Sequence, residues 1–418
     1  MDSIKINSNI NLYYIPMTKM KTTTVGVYIH RPLCEKEVSA NALLPYVMKR
    51  SCKLCPDSES VSKYMENLYG ARTAACTMKL GDDHIIHFGF ETISDKYAPD
   101  SAKLVADIAE LMLSILFEPT AFTGDIVGLE KKNACDRIMA EMNDKAVYAM
   151  HRCGEEMCKG DSFALSMLGT VDGINAIDAE SLKKHYNKII TSSVIDIYIC
   201  GDTNIKALTE KIKTYTDKIA FREACIPKSE IFNGNGGVKK VTDKMDVAQG
   251  KLCMGFKTGV KANENDYISF MVLASIYGGG AHSKLFNNVR EKLSLCYYAS
   301  CSLVKNKGIM FVNAGIEFRN FQKAYDEILA QLEAIKNGEI SEQEFTSGVK
   351  SIENDFESYK DNQRMMQVYY LNQKVSGTDY DIDTMKERIG KVTLKDVTRV
   401  AKNVELDTVY FLTGKEEA

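Results

Sequence analysis

The sequence predicts an α+β protein of two similar domains, each a mostly antiparallel sheet with helices packed on one face. Short strand-like runs are bunched together and followed by longer helical patterns, which is typical of such layered folds. Much of this order of elements then occurs a second time along the chain. The length of 418 residues also suits two domains, because one domain usually has about 100–200 residues.

In the first half, runs of apolar and alternating residues predict strands, and apolar residues at helical spacing predict helices. The predicted strands are residues 10–15, 22–29, 71–80, 84–90 and 193–200. The predicted helices are residues 39–49, 60–69, 102–117, 128–144 and 179–189. Gly201 ends the half, because glycine interrupts regular structure.

The second half repeats much of this order. The predicted strands are residues 251–256, 297–304, 309–316 and 408–412. The predicted helices are residues 266–277, 283–290, 321–336, 341–375 and 394–402. Both halves end in a helix, a short link, an apolar strand and a glycine, which is Gly201 in the first half and Gly414 in the second.

A stretch rich in turn-forming residues separates the two halves. Residues 226–237 concentrate proline, glycine and asparagine, which disfavour helices and strands. We therefore predict an N-terminal domain of residues 1–222, a linker of residues 223–245 and a C-terminal domain of residues 246–418.

Charge and composition narrow the class of protein. The formal net charge is -3, from 53 basic and 56 acidic residues spread along the chain, so no basic field is offered to a nucleic acid. Residues 1–7 alternate like a strand and do not look like a secretion signal. Residues 267–281 form the most apolar run, which is shorter than the ~20 residues that span a bilayer. Twelve scattered cysteines favour a reducing compartment. We therefore expect a cytoplasmic protein without nucleic-acid or membrane partners.

The most informative stretch begins with Gly278, Gly279 and Gly280, continues through Ala-His-Ser-Lys-Leu-Phe, and reaches Val-Arg-Glu-Lys-Leu-Ser-Leu-Cys-Tyr. It resembles the C-terminal domain signature of the insulinase, pitrilysin and mitochondrial-processing-peptidase family, whose members contain tandem similar α/β domains. The resemblance implies that Arg290 and Tyr297 point into an active site and help to stabilise the tetrahedral intermediate. It also implies that the three glycines form a substrate-binding turn.

The chemistry of this implied pair is sound, because a guanidinium and a phenol are suitable donors to an oxygen that develops negative charge. Tyr298 is a competing candidate for the role of Tyr297. Without the surrounding signature, Arg290 would be interpreted as an exposed arginine at a helix end and Tyr297 as an ordinary strand aromatic.

The same resemblance implies an inverted zinc motif, H-x-x-E-H, on a helix of the first domain. In this sequence Asn41 and Pro45 replace the two histidines, and Leu44 replaces the general base. The third family ligand is a glutamate in a later helix, where Arg137 stands, with Glu130 and Glu141 a helical turn or more away. A catalytic zinc needs three protein ligands. We therefore expect no metal in this chain.

The histidines do not suggest another metal site. No two of the six stand four residues apart, and His84 and His87 lie on a predicted strand, where an odd separation sends side chains to opposite faces. His87 and Glu91 would share a face, and an ordinary surface strand explains that pair best.

In this family an active site can be divided between two chains, with zinc in one and the Arg/Tyr pair in the other. The resemblance thus implies a non-catalytic subunit that acts on peptides with a zinc-bearing homologous partner. The free edge of residues 71–78 could pair with an extended peptide. The alternatives are a stand-alone peptide-binding or scaffold homodimer without hydrolysis, and an active enzyme with an unusual site.

Overall fold

The computed structural model describes residues 1–99, 102–234 and 236–415. Residue 235 of the expected linker and residues 416–418 of the expected second domain lie outside the described residues.

The first sheet contains six strands among the described residues. They are β1 (Asp2–Lys5), β2 (Ile10–Pro16), β3 (Thr22–Pro32), β4 (Arg72–Leu80), β5 (Asp83–Ile93) and β6 (Val194–Gly201). Their order in space is β1-β2-β6-β3-β5-β4. Among the described strands of this sheet, only β2 and β6 pair in parallel, and β4 lies at one edge.

The first 228 residues also contain α-helices. They are α1 (Glu35–Met48), α2 (Ser58–Asn67), α3 (Leu104–Phe117), α4 (Gly124–Glu141), α5 (Lys145–Met157), α6 (Val171–Asn175), α7 (Ala179–Ser192) and α8 (Ile205–Thr216). Val25, Val27 and Ile29 alternate along β3 and are buried in one apolar core with residues of α1 and α3. Burying each such side chain stabilises the fold by about 1.5–3 kcal/mol.

The second sheet contains five strands among the described residues. They are β7 (Lys239–Met245), β8 (Gly250–Lys257), β9 (Cys296–Val304), β10 (Ile309–Ile316) and β11 (Glu405–Gly414), in the order β7-β11-β8-β10-β9. The helices that follow the linker are α9 (Asp266–Gly278), a π-helical segment (Leu285–Lys292), α10 (Phe321–Lys336), α11 (Glu342–Tyr359), α12 (Gln363–Val375), α13 (Ile382–Gly390) and α14 (Leu394–Ala401). The predicted α+β class with two mostly antiparallel sheets is confirmed.

The chain divides into two compact units that exchange segments of sequence. Unit 1 contains Met1–Met139, Leu165–Lys228 and Asn362–Asn372. Unit 2 contains Ala140–Ala164, Ser229–Asp361 and the described residues from Gln373 onward. Most of α12 therefore belongs to unit 1, and α5 belongs to unit 2. Each sheet thus has a helix from the other half of the sequence among its neighbours.

Two glutamines one turn apart fasten α12 to the first sheet. Nε2 of Gln363 donates to the carbonyl oxygens of Thr22 and Cys200, at 2.7 and 2.9 Å. Nε2 of Gln367 donates to the carbonyl oxygen of Thr24 at 3.2 Å. Nε2 of Gln367 also donates to Oγ1 of Thr24 at 2.9 Å. Because the side chain of Thr24 alternates with that of the buried Val25, α12 lies on the face of the sheet opposite the apolar core.

The prediction of one helix over residues 341–375 is wrong, because α11 ends at Tyr359 and α12 begins at Gln363. Asn362 accepts a hydrogen bond from the backbone N–H of Met365 at 3.1 Å, as a helix N-cap does. The break between the two helices coincides with the passage of the chain from unit 2 to unit 1.

A buried charged cluster lies within the first sheet. Nδ1 of His30 is 2.6 Å from Oδ2 of Asp83, and Nε2 of His30 is 3.2 Å from Oδ2 of Asp196. All three side chains are inaccessible to solvent. Since carboxylates face both ring nitrogens, the cluster favours a doubly protonated imidazolium.

Candidate functional site

The helix expected to carry the zinc motif is α1. Asn41, Leu44 and Pro45 are all buried there. Proline has no N–H, so Pro45 cannot donate the helical hydrogen bond to the carbonyl of Asn41. The side chains of Leu44 and Pro45 contain no atom that could bind a metal. Of these three positions, only Asn41 offers a polar side chain.

The amide of Asn41 joins two histidines from other elements. Nε2 of His185 on α7 donates to Oδ1 of Asn41 at 2.8 Å, and Nδ2 of Asn41 donates to Nδ1 of His84 on β5 at 3.3 Å. Nε2 of His84 in turn donates to the carbonyl oxygen of Met167 at 3.0 Å. Because that carbonyl only accepts, the tautomer of His84 is fixed. The side chains form a hydrogen-bond chain that runs in one direction.

Both histidines of this hydrogen-bond network are neutral at physiological pH. Burial lowers the pKa of His84 and of His185 to about 4. In the part of the chain that the structure describes, no group of three or more His, Cys, Asp or Glu side chains could hold a metal ion. The residues present therefore do not fit a zinc ion, and the region is a satisfied polar network.

Arg137 occupies the position that the resemblance assigns to the third ligand. Its guanidinium carbon lies 3.6 Å from the ring centroid of Tyr46 on α1, a cation–π contact. The buried Glu130 accepts a hydrogen bond from Nε of Arg50 at 2.7 Å, and Glu141 contacts a histidine of α5. Each carboxylate therefore already has a partner, and the guanidinium of Arg137 would repel a divalent cation.

Arg290 and Tyr297 lie in unit 2, near the point where the π-helical segment gives way to β9. The guanidinium carbon of Arg290 is 4.6 Å from the ring centroid of Phe286. The Arg290 side chain is 41% exposed, and Tyr297 is 61% exposed. Ser294, between them, has a φ of 50°, which is unfavourable for a residue other than glycine. Both side chains are accessible hydrogen-bond donors.

Tyr298, the competing candidate, is packed more closely than Tyr297. Nζ of Lys251 lies 5.5 Å from the centroid of its ring. Burial raises the pKa of Tyr298 to about 12. Tyr297 is therefore the more accessible of the two phenols.

The glycine triplet ends α9, with Gly279 at its C-cap. A Cβ atom on Gly278 would lie 2.6 Å from the backbone nitrogen of Cys301, so glycine is needed where α9 meets β9. Gly280 has a φ of 151°, which side chains disfavour. Close packing and backbone conformation explain Gly278 and Gly280, and a role of the turn in substrate binding stays a prediction.

His87 belongs to a region that sequence reasoning missed. The prediction that His84 and His87 face opposite ways is confirmed, because His84 contacts Asn41 whereas the His87 ring stacks on Tyr28 with centroids 4.5 Å apart. The expectation of an ordinary surface strand is wrong, because His87 is only 3% exposed. Arg364 of α12 lines a cavity together with His87. No local signal could have joined residues so distant in sequence.

The two-sheet fold and helix α1, in which Leu44 and Pro45 cannot bind zinc, define a metallopeptidase-like chain. A family model described as the peptidase M16 inactive domain matches residues 176–352. The chain is 32% identical to the "Probable inactive metalloprotease YmfF" of Bacillus subtilis (strain 168), over 99% of this chain and 97% of that protein. It is 22% identical to the "Uncharacterized zinc protease YmxG" of the same strain, over 84% and 86% of the two chains.

A crystal structure of a conserved protein from Enterococcus faecalis V583 has a TM-score of 0.89 at 27% identity, with 100% of this chain and 99% of that chain covered. The chain belongs to the M16 peptidase family, as the resemblance to insulinase predicted, and Leu44 and Pro45 of its helix α1 cannot bind the zinc ion. Within the described residues, the helices are too short or too polar to cross a membrane.

Proposed function

We propose that this chain is the non-catalytic subunit of an insulinase-like zinc metallopeptidase and acts on peptides with a zinc-bearing homologous subunit. The observation that carries the proposal is an asymmetry within the chain. The zinc positions on α1 are filled by an amide, a leucine and a proline, whereas Arg290 and Tyr297 are present and exposed. This chain would provide hydrogen-bond donors for a reaction whose metal lies in its partner.

The contribution of this chain to the reaction would be electrostatic. The guanidinium of Arg290 and the phenol of Tyr297 donate hydrogen bonds to an oxygen on which negative charge develops when a peptide bond is attacked. Neither group needs to change its protonation state to do so. Zinc and the general base that activates water would both belong to the partner subunit.

The terminal strand of the first sheet supports a role in holding peptides. Strand β4 is the last strand at one edge of the first sheet, and it pairs with β5 on its inner side. Its residues include 72–78 of the segment predicted to accept a peptide by strand addition. Main-chain hydrogen bonds along such an edge bind an extended chain with little dependence on its sequence.

A pair of relatives in one organism also supports the proposal. Bacillus subtilis (strain 168) has both a relative named a probable inactive metalloprotease and a relative named a zinc protease. Two homologous chains, one with zinc and one without, are what a divided active site requires.

The test is reconstitution. The purified chain is mixed with a zinc-bearing homologue from its own organism, and cleavage of an unstructured, fluorescence-quenched peptide is followed. We expect no cleavage by this chain alone and more cleavage by the mixture than by the homologue alone. Arg290→Ala and Tyr297→Phe should each lower kcat of the mixture by about 10–100-fold, since losing one oxyanion donor commonly costs a factor of this order or larger.

Two matched controls accompany these variants. Arg319, also in unit 2, has an 83% exposed side chain, and Tyr298 is the packed neighbour of Tyr297, so Arg319→Ala and Tyr298→Phe should leave kcat of the mixture unchanged. Mixed activity that is indifferent to both Arg290→Ala and Tyr297→Phe would remove the proposal. Stoichiometric zinc in the isolated chain, with cleavage that a chelator stops, would show an active enzyme instead.

A further inference from the structure

A cavity of about 250 Å³ opens on the face of the first sheet that carries α12, and every residue that lines it belongs to unit 1. His87 and Gly89 of β5 contribute to its lining, together with Arg72 of β4. Arg364 and Gln367 of α12 line it from the other side. The two glutamine contacts of α12 with the sheet hold Arg364 in this position.

His87 presents a hydrogen-bond acceptor to this cavity. Its Nδ1 donates to the carbonyl oxygen of Val27 at 3.2 Å. Burial, and to a smaller extent the positive charge of Arg364, lowers the pKa of His87 to about 4. The ring is therefore neutral, and Nε2 carries a lone pair. A Cβ atom on Gly89 would lie 3.3 Å from Nε2, so the absence of a side chain there leaves the space beside this nitrogen open.

The cavity also has an excess of positive charge. Its charged lining residues are Arg72, Arg364 and Glu91, two cations and one carboxylate. Among the residues that the structure describes, no carboxylate lies within ion-pair distance of either guanidinium. Two arginines and one fixed acceptor thus line the same small volume, and Arg72 lies directly across the strands from Glu91.

We propose that this cavity binds the C-terminal residue of a peptide. The terminal carboxylate accepts hydrogen bonds from Arg72 and Arg364, and the last amide N–H donates to Nε2 of His87. The proposal rests on the proposed function for the source of its peptides, because cleavage by the partner subunit creates new C-termini. It names the part of the peptide that this chain recognises.

The chemistry and the size of the cavity both favour this ligand. Arginine binds carboxylates with directional, charge-assisted hydrogen bonds. A carboxylate alone would leave Nε2 of His87 without a donor, whereas a peptide terminus has an N–H two bonds from its carboxyl carbon. A volume of about 250 Å³ is below the roughly 300–1,000 Å³ of sites for drug-sized ligands, so it suits one residue at a chain end.

The test is direct binding to the isolated, full-length chain, measured by fluorescence anisotropy. The probe is a dye-labelled pentapeptide of glycine, serine and alanine with a free C-terminus. A second peptide ends in an amide, a third carries an N-methyl group on its last peptide nitrogen, and a fourth is amidated but contains an internal glutamate. We expect the free acid to bind, and the other three to bind at least about tenfold more weakly, equivalent to about 1.4 kcal/mol each.

Variants of the chain locate the binding. Arg364→Gln and Arg72→Gln remove exposed cations and should each weaken binding of the free acid about tenfold or more, without a change in the thermal unfolding midpoint. Gly89→Ala narrows the space in front of His87 and should also weaken binding. The matched control is Arg319→Gln, which removes one exposed positive charge in unit 2 and should leave binding unchanged.

Equal binding of the amidated and free-acid peptides would overturn the proposal, and so would preferential binding of the internal glutamate peptide. Displacement of the free acid by inorganic phosphate but not by N-acetylglycine would also overturn it and indicate a phosphate site. This assay needs no zinc-bearing partner. Its failure would therefore leave the reconstitution experiment on Arg290 and Tyr297 intact, and failure of reconstitution would leave this binding measurable.

Discussion

The buried cluster of His30, Asp83 and Asp196 predicts a specific loss of stability at alkaline pH. The two carboxylates raise the pKa of His30 from 6.5 to about 9, although burial acts in the opposite direction. The folded-state pKa thus exceeds that of the unfolded chain. The stabilisation by protonated His30 is therefore complete below pH 6.5 and is lost as the pH rises towards 9.

The size of the expected loss of stability follows from the pKa shift of His30. A rise from 6.5 to about 9 corresponds to about 3 kcal/mol, at about 1.4 kcal/mol for each pKa unit. Between pH 6.0 and pH 8.5, the linkage relation predicts that about 2 kcal/mol of this stabilisation disappears.

The assay is urea unfolding of the wild-type chain and of His30→Gln at both pH values. Lys305 should change stability in the opposite direction, because burial lowers its pKa to about 8, but this contribution is common to the two proteins and cancels in the difference. We expect the stability advantage of the wild type to shrink by about 2 kcal/mol from pH 6.0 to pH 8.5. An advantage that stays constant, or grows, would refute the reasoning.

Two further predictions concern unit 1. Glu37→Gln should lower the free energy of unfolding by about 3–5 kcal/mol, because it leaves the charge of Arg31 without its partner. The two side chains lie 2.7 Å apart and are 8% (Arg31) and 10% (Glu37) exposed. Urea unfolding measures the loss, and a value below about 1 kcal/mol would contradict the prediction. Gly26→Ala should cost about 1–3 kcal/mol, because the added methyl group would overlap Oε1 of Gln367. The control is Gly128→Ala on α4, where the added methyl group would have no atom within 4 Å. This variant should stabilise the protein by about 0.5–1 kcal/mol. Equal thermal unfolding midpoints for Gly26→Ala and Gly128→Ala would contradict both expectations.

Local periodicity was enough to predict much of the fold. The strands around residues 22–29 and 84–90 have alternating or continuous apolar patterns, and these patterns depend only on neighbours in sequence. The observed strands, Thr22–Pro32 and Asp83–Ile93, extend a few residues further. Helix α5 was missed because its buried positions, although they stand at helical spacing, are mostly small residues such as Ala149 and Cys153 and give a weak apolar pattern.

The candidate sites show where such reasoning stops. That Leu44 and Pro45 cannot bind zinc follows from their chemistry alone, but the bridge from Asn41 to His84 and His185 requires three distant segments to meet. The cavity beside His87 likewise depends on a helix almost 280 residues further along the chain. Periodicity describes one segment at a time, whereas these contacts depend on tertiary packing.

The exchange of segments between the units limits how the protein can be dissected. A recombinant fragment that ends in the linker at residue 228 lacks Asn362–Asn372, so the backbone acceptors of Thr22 and Thr24 would lose the glutamine donors that satisfy them. The complementary fragment lacks Ala140–Ala164 and would leave apolar positions of the second sheet open to water. A protease nick in the linker would therefore not create two autonomous folding modules. Either unit could be studied alone by expressing its fragment separately, with the missing segment appended.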